Sequence, residues 1–188
     1  MLILYFIANL SISFLVRIPS TNWMVILLFS VLFLFFSYRI LRKNKYLKEI
    51  TIKKSLSLND VGMIVAYSMI NLIVSYLTAA SSSKVRNEGG TIEYHSSFLL
   101  ILGVIILAPI LEEIVFRGLM RQLIANKYCY IVISSLLFSM IHSPENSYLF
   151  IGIFISGVLF SLSYIKTNNL VIPICIHLIN NLTAIFLN

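Results

Sequence analysis

The sequence predicts an all-α, polytopic membrane protein, a helical bundle of about seven transmembrane helices in a single domain over residues 1–188. Three observations predict it. Of 188 residues, 59% are hydrophobic and only 11% charged, whereas a soluble domain is nearer half apolar and a quarter charged. The mean hydropathy is +0.95. The apolar residues fall in separate runs divided by polar or basic links, and none alternates in the ~10-residue pattern of a membrane β-barrel strand.

The runs lie near residues 2–17, 22–38, 61–80, 97–117, 128–143, 147–165 and 169–187. Several fall short of the ~20 residues that span a bilayer comfortably. The first, "MLILYFIANL", has no basic lead-in and no small-residue cleavage site, so it reads as a retained span and not as a cleaved signal. The link "YRILRKNKYLKEITIKKSLSLND" holds Arg39, Arg42, Lys43, Lys45, Lys48, Lys53 and Lys54. The positive-inside rule puts it in the cytoplasm of a cell-membrane protein, with the N-terminus cytoplasmic and the C-terminus external. Arg121, Lys127 and Lys166 then also fall inside, and only Arg17, Lys84 and Arg86 outside.

The net charge is +7, from 14 basic and 7 acidic residues. Because the basic residues sit between apolar runs, they indicate topology and contact with membrane lipids, and no nucleic-acid partner is expected. The loop around Gly89-Gly90 reads as a flexible connector, and its His95 as solvated. Cys129 and Cys175 both read as packing residues, since neither a CxxC nor a Cys/His metal spacing is present.

Charged residues inside an apolar run need a reason. In "PILEEIVFRG", Glu113 and Arg117 are four apart and share a helix face, so they pair. Glu112 is turned ~100° away from Glu113 and lacks a local partner. The structural alternative is that all three cap the span at the headgroups. In "SSLLFSMIHSPEN", His142 follows Phe138 by four residues. In "VIPICIHLINNLTAIF", His177 and Asn181 share a face, with Asn180 on an adjacent one. Asn181-Leu182-Thr183 matches a glycosylation sequon but lies in a segment that reads as buried. Carboxylate base, imidazoles and an amide donor are the groups that hydrolysis of an amide by water uses.

The fourth and fifth spans should run antiparallel. Glu112 and His142 then meet only if the fourth helix continues to about residue 124, which "VFRGLMRQLI" permits, because Gly118 alone is tolerated in a helix. The sixth span carries Gly152/Ser156 and Gly157/Ser161, small-xxx-small spacings that let helices approach closely.

The ordered set EExxxR (Glu112, Glu113, Arg117), FxxxH (Phe138, His142) and HxxxN (His177, Asn181) resembles the CPBP family of CAAX proteases and bacteriocin-processing enzymes, also called the Abi family of intramembrane proteases. The motifs cover about residues 97–188, the expected catalytic core. The resemblance implies an intramembrane endopeptidase that hydrolyses a peptide bond with a glutamate-activated water. In it Glu112 and His142 hold the water, His177 and Asn181 stabilise the oxyanion, and Glu113 and Arg117 support the site. It further implies a peptide or protein substrate, either prenylated or a leader peptide, and a role in peptide processing or bacteriocin self-immunity. No cofactor or metal is favoured. Zinc is the alternative, with Glu112, His142 and His177 as its ligands. The rival function is a non-catalytic immunity or scaffold protein that binds a peptide or partner in the same cavity.

Overall fold

The computed structural model describes residues 55–86, 103–142 and 147–187. Among these, every regular element is a helix: α1 (Leu58–Arg86), α2 (residues 103–123, in four consecutive segments), α3 (Lys127–His142), α4 (Ser147–Thr167) and α5 (Val171–Leu187). They answer to the third to seventh expected spans. The first two spans, the basic link from Arg39 to Lys54, the Gly89-Gly90 connector and His95 lie outside the described residues. Two described helices, over Leu58–Thr78 and Ser147–Thr167, are long and apolar enough to cross a membrane, and α3 and α5 are apolar but shorter.

The described residues fall into two units, residues 103–111 in the first, and residues 55–86, 112–142 and 147–187 in the second. The described part of the first is the start of α2, a π-helical turn over Gly103–Leu107 followed by Ala108 and a fully buried Pro109. Proline offers no N–H to the carbonyl four residues back, and the widened turn lies where that bond would form.

The second unit holds α1, the rest of α2, and α3 to α5. Its helix ends are written in the sequence. Ser57 and Asp60 form a reciprocal capping box at the start of α1, with Ser57 N–H donating to Asp60 Oδ2 (2.9 Å) and Asp60 N–H to Ser57 Oγ (3.2 Å). Asn126 Oδ1 caps α3 by accepting the N–H groups of Tyr128 and Cys129. Arg121 Nη1 donates to the carbonyls of Ile124 and Ala125 in the turn between α2 and α3. Asn168 ends α4 in the left-handed region (φ 48°), a conformation that asparagine tolerates better than most residues. Asn169 Oδ1 then accepts Val171 N–H at the start of α5.

The polarity of α3 is inverted relative to a soluble helix. Its buried face carries Tyr130, Ser134, Ser135, Phe138 and Ser139. Its exposed face carries Val132, Ile133, Leu136, Leu137 and Met140. The inner hydroxyls are satisfied by backbone carbonyls: Ser134 by Phe116, Ser135 by Ile131 and Ser139 by Leu136. α1 likewise exposes Val61, Val65, Met69 and Ile73 at every fourth residue while burying Asn71. Water would penalise such faces, whereas lipid accepts them and leaves small polar residues to mediate helix contacts.

Those contacts are close. α1 runs antiparallel to α4, with Tyr67 meeting Lys166 at one end and Thr78 meeting Gly152 towards the other, where an added Cβ would stand 2.8 Å from Thr78 Oγ1. A Cβ on Gly157 would stand 3.1 Å from Ser135 Cα of α3. Both small-xxx-small glycines therefore do serve tight packing. α1 also reaches α5, through Ser75 Oγ and Asn180 Oδ1 at 3.3 Å. One packing expectation fails: Cys129 is exposed, while Cys175 is half-buried. Cys129 sits in the first turn of α3, turned about 100° from the buried Tyr130 that follows it.

Candidate active site

Helix α2 presents its charged residues around a second π-helical segment, Ile114–Leu119, in which Met120 N–H bonds Val115 O five residues back. Glu112 and Glu113 close the α-helical segment before it. All residues from Leu111 to Gly118 are buried, so none of the three charges reaches headgroups, and the capping alternative does not describe them.

Glu113 and Arg117 pair as their spacing predicts, with Nε 3.1 Å from Oε2 and both side chains fully buried. The contact is ionic, since neither atom completes a well-aligned hydrogen bond. Arg117 Nη2 donates to the Gly157 carbonyl of α4 (3.2 Å). The guanidinium carbon lies 4.6, 5.1 and 5.8 Å from the ring centroids of Phe138, Phe160 and Phe116, in range for cation–π attraction in a desolvated place. A buried cation thus gains a carboxylate, a carbonyl and three ring faces.

His142 is the last residue of α3, one turn beyond the level at which an antiparallel α2 would meet it. The ring makes up the difference. Side chains on a helix lean toward its N-terminus, and His142 Nδ1 donates to Phe138 O, one turn back, at 2.8 Å. The imidazole also lies 4.3 Å from the Phe138 ring centroid. α2 itself continues to Leu123, as the antiparallel geometry required. Glu112 Oε2 and His142 Nε2 consequently stand 3.3 Å apart.

His177 enters from α5. Its ring stacks on Phe160 at 4.8 Å and meets Phe138 edge to face at 5.6 Å. Its Nδ1 donates to Glu113 Oε1 (2.9 Å), and its Nε2 lies 3.7 Å from Glu112 Oε2. Asn181 follows one turn along α5 and is half-buried.

The proton positions follow from these partners. A carbonyl and a carboxylate only accept, so both histidines carry their proton on Nδ1. Both Nε2 atoms then face Glu112 Oε2. With neutral rings, three lone-pair sites would converge on one point, an arrangement that calls for a proton or a bound water among them. Exposure is graded across the site: the side chains of Glu112 and His177 are 5% and 4% exposed, that of His142 30%.

The donors also bear on zinc. Two ligands at ~2.0–2.1 Å on a tetrahedral zinc lie about 3.3 Å apart. The Glu112–His142 separation matches that, and the Glu112–His177 separation is wider. Among the described residues, no three His, Cys, Asp or Glu side chains form a ready metal-binding group. The chemistry of the donor set suits zinc, whereas its arrangement is not that of a preformed three-ligand site.

Several parts of the site escaped the sequence reading: the Glu113–His177 bond, the Phe160 stack, the Gly157 carbonyl and the fold-back of His142. Only Phe160 left a trace, as an aromatic residue three positions after the glycine of a small-xxx-small pair.

Taken together, buried carboxylates and imidazoles within a bundle of lipid-compatible helices define a membrane protein with an intramembrane polar site. Residues 94–183 match the type II CAAX prenyl endopeptidase Rce1-like family. The chain is 34% identical over 86 residues to an uncharacterised 24.3 kDa protein of Escherichia coli, covering 43% of this chain and 40% of that one. It is 29% identical over 131 residues to the membrane-embedded CAAX protease MroQ of Staphylococcus aureus, covering 64% and 52%. An uncharacterised protein of Mycoplasma capricolum is 28% identical over 126 residues, covering 62% and 38%. The chain thus spans between 38% and 52% of the length of these relatives. No solved structure gives a significant match.

Proposed function

We propose that the chain is an intramembrane endopeptidase that cleaves a peptide bond with a water activated by Glu112. The observation that carries this is the convergence of Glu112 Oε2 on the Nε2 atoms of His142 and His177, 3.3 and 3.7 Å away. Water held by Glu112 and His142 gives a proton to Glu112 as its oxygen adds to the substrate carbonyl carbon. The charge that grows on the carbonyl oxygen is met from α5, by the Asn181 amide and by His177 Nε2–H once that ring is an imidazolium. Glu113, hydrogen-bonded to Nδ1, holds the ring so that Nε2 faces Glu112. The proton on Glu112 then passes to the leaving nitrogen and the C–N bond breaks, giving a carboxylic acid and an amine, between which a proton then passes to leave carboxylate and ammonium. No covalent enzyme intermediate forms.

The substrate approaches past His142, the most exposed of the three groups, so the scissile bond meets the water-holding pair before the oxyanion donors. The match to the CAAX prenyl endopeptidase family and the name of the S. aureus relative support a peptide or protein substrate. Whether that substrate is prenylated or a leader peptide, and whether its cleavage serves bacteriocin self-immunity, follows from which peptide is cut. The full architecture we propose is a single cell-membrane domain of about seven helices with its catalytic core in residues 97–188.

Co-expression with a prenylated C-terminal peptide, a leader peptide and a membrane segment, followed by mass spectrometry, tests the reading. New termini should appear in one of the three. Glu112→Gln should lower their yield by roughly 10²–10⁴-fold at unchanged membrane abundance. Full cleavage by that variant would overturn the mechanism, and an intact peptide bound to the parent protein would favour the non-catalytic immunity or scaffold reading. Cleavage that survives a chelator fits a metal-free site. Cleavage lost to the chelator and restored by zinc would give Glu112, His142 and His177 to the metal.

A further inference from the structure

Tyr130 has no part in the chemistry above, yet it is buried completely in the first turn of α3. Its hydroxyl interacts with the Ser161 hydroxyl of α4 and lies within the electrostatic reach of Arg117 and Glu113. Neither hydroxyl completes a hydrogen bond, however, and neither do Arg117 Nε, Arg117 Nη1 or Glu113 Oε2. Nε and Oε2 face each other as an ion pair at 3.1 Å, which leaves Tyr130 OH, Ser161 Oγ and Arg117 Nη1 as three buried polar atoms without a bond. Folded proteins leave few such atoms bare, and where several converge an ordered water commonly joins them, given two to four polar partners. The rest of the guanidinium is already committed, to Glu113, to the Gly157 carbonyl and to three phenylalanine rings.

We propose that an internal water sits among Tyr130 OH, Ser161 Oγ and Arg117 Nη1, and that Tyr130 and Ser161 act through it as positioning residues for His177. Arg117 Nη1 donates to the water, which in turn donates to a hydroxyl. The guanidinium is then held at three points: Nη1 by the water, Nη2 by Gly157 O and Nε by Glu113. A fixed guanidinium fixes Glu113, whose other oxygen receives the Nδ1 proton of His177. The hydroxyls on α3 and α4 thus help decide which nitrogen of a histidine on α5 bears the proton. The inference rests on His177 being a site residue in the proposed function.

The test needs no substrate, so a chain without turnover could still pass it. The full-length protein is placed in lipid nanodiscs with ¹⁵N-labelled histidine and ¹³C-labelled tyrosine. In the parent protein, solid-state spectra should show magnetisation passing from water to the Tyr130 ring and a single His177 tautomer, protonated on Nδ1. Tyr130→Phe and Ser161→Ala should each change the His177 tautomer ratio by roughly three- to tenfold, the range that one hydrogen bond governs. The double variant should change it no further, because both residues hold the same water. Three results would overturn the proposal: a dry Tyr130 in the parent, an unaltered His177 in both single variants, or strictly additive effects in the double variant. A loss of thermal stability with His177 unaltered would leave Tyr130 as a packing residue only.

Discussion

Glu113 binds His177 and Arg117 at once, one carboxylate oxygen to each, at 2.9 and 3.1 Å. The two partners lie on different helices, so a single side chain joins α2 to α5 while also setting the ring orientation of His177. This differs from the spacing argument, which gave Glu113 to Arg117 alone. It makes Glu113 a link between the stability of the unit and the geometry of its site.

Glu113→Gln should therefore fail twice. It strands a buried guanidinium, and a broken buried ion pair costs roughly 3–5 kcal/mol. It also lets the amide nitrogen face His177 Nδ1, which frees the ring to turn. Folded yield in detergent should fall, and cleavage per folded molecule should fall as well. A variant of normal stability and normal activity would remove Glu113 from both roles.

Arg117→Lys should behave much like Arg117→Leu in spite of its charge. A lysine has one nitrogen where the arginine uses separate nitrogens for Glu113 and the Gly157 carbonyl, and it lacks the planar group that lies against Phe138 and Phe160. Thermal unfolding followed by loss of monomer in size-exclusion chromatography should show both variants destabilised by at least ~2 kcal/mol. Lysine rescue to parental stability would reduce the site to simple charge balance.

How much of this was legible beforehand varies with the distance over which each contact acts. The helices from Leu58 to Leu187 follow from runs of apolar residues, because lipid selects length and hydropathy directly. The Glu113–Arg117 pair follows from a four-residue spacing along one helix. The meeting of Glu112, His142 and His177 was legible only as a family pattern of ordered motifs, since composition says nothing about which faces turn inward. The Glu113–His177 bond joins residues 64 apart in the chain and leaves no periodic trace. The π-helical turns are invisible for a related reason: they change the phase of a helix by one residue without changing the kinds of residue in it. Cys129 misled because it lies in an apolar run, and in lipid an apolar run has no preferred inside.

Two glycine replacements should have opposite effects. Gly157→Ala places a Cβ 3.1 Å from both Cα and Cβ of Ser135. It should force α3 and α4 apart, costing about 1–3 kcal/mol as overpacking does, and should stretch the Arg117–Gly157 hydrogen bond. Gly62→Ala meets nothing within 4 Å, and alanine favours a helix over glycine by roughly 0.5–1 kcal/mol. Thermal melts of the two should shift in opposite directions from the parent.

Orientation can be read with two fusions. A reporter joined after Lys48 should be cytoplasmic, and one joined after Glu88 external, because the basic residues between Arg39 and Lys54 favour the inside. Both reporters on one side would break the alternation that places the C-terminus outside.

The π-helical segment at Ile114–Leu119 imposes a constraint of arithmetic. A π turn closes over one more residue than an α turn, so this stretch holds a residue that a uniform helix would not need. If one residue between 114 and 119 were deleted, the turn would relax to ordinary pitch and leave its flanks nearly in their present phase, because the residue lost is the one held in excess. A deletion in a uniformly α-helical stretch has no such slack and turns everything on one side by about 100° relative to the other. Here, then, the number of residues carries information that their identities do not. Across descendants of this chain, a one-residue gap in α2 should fall within this stretch and not beside it.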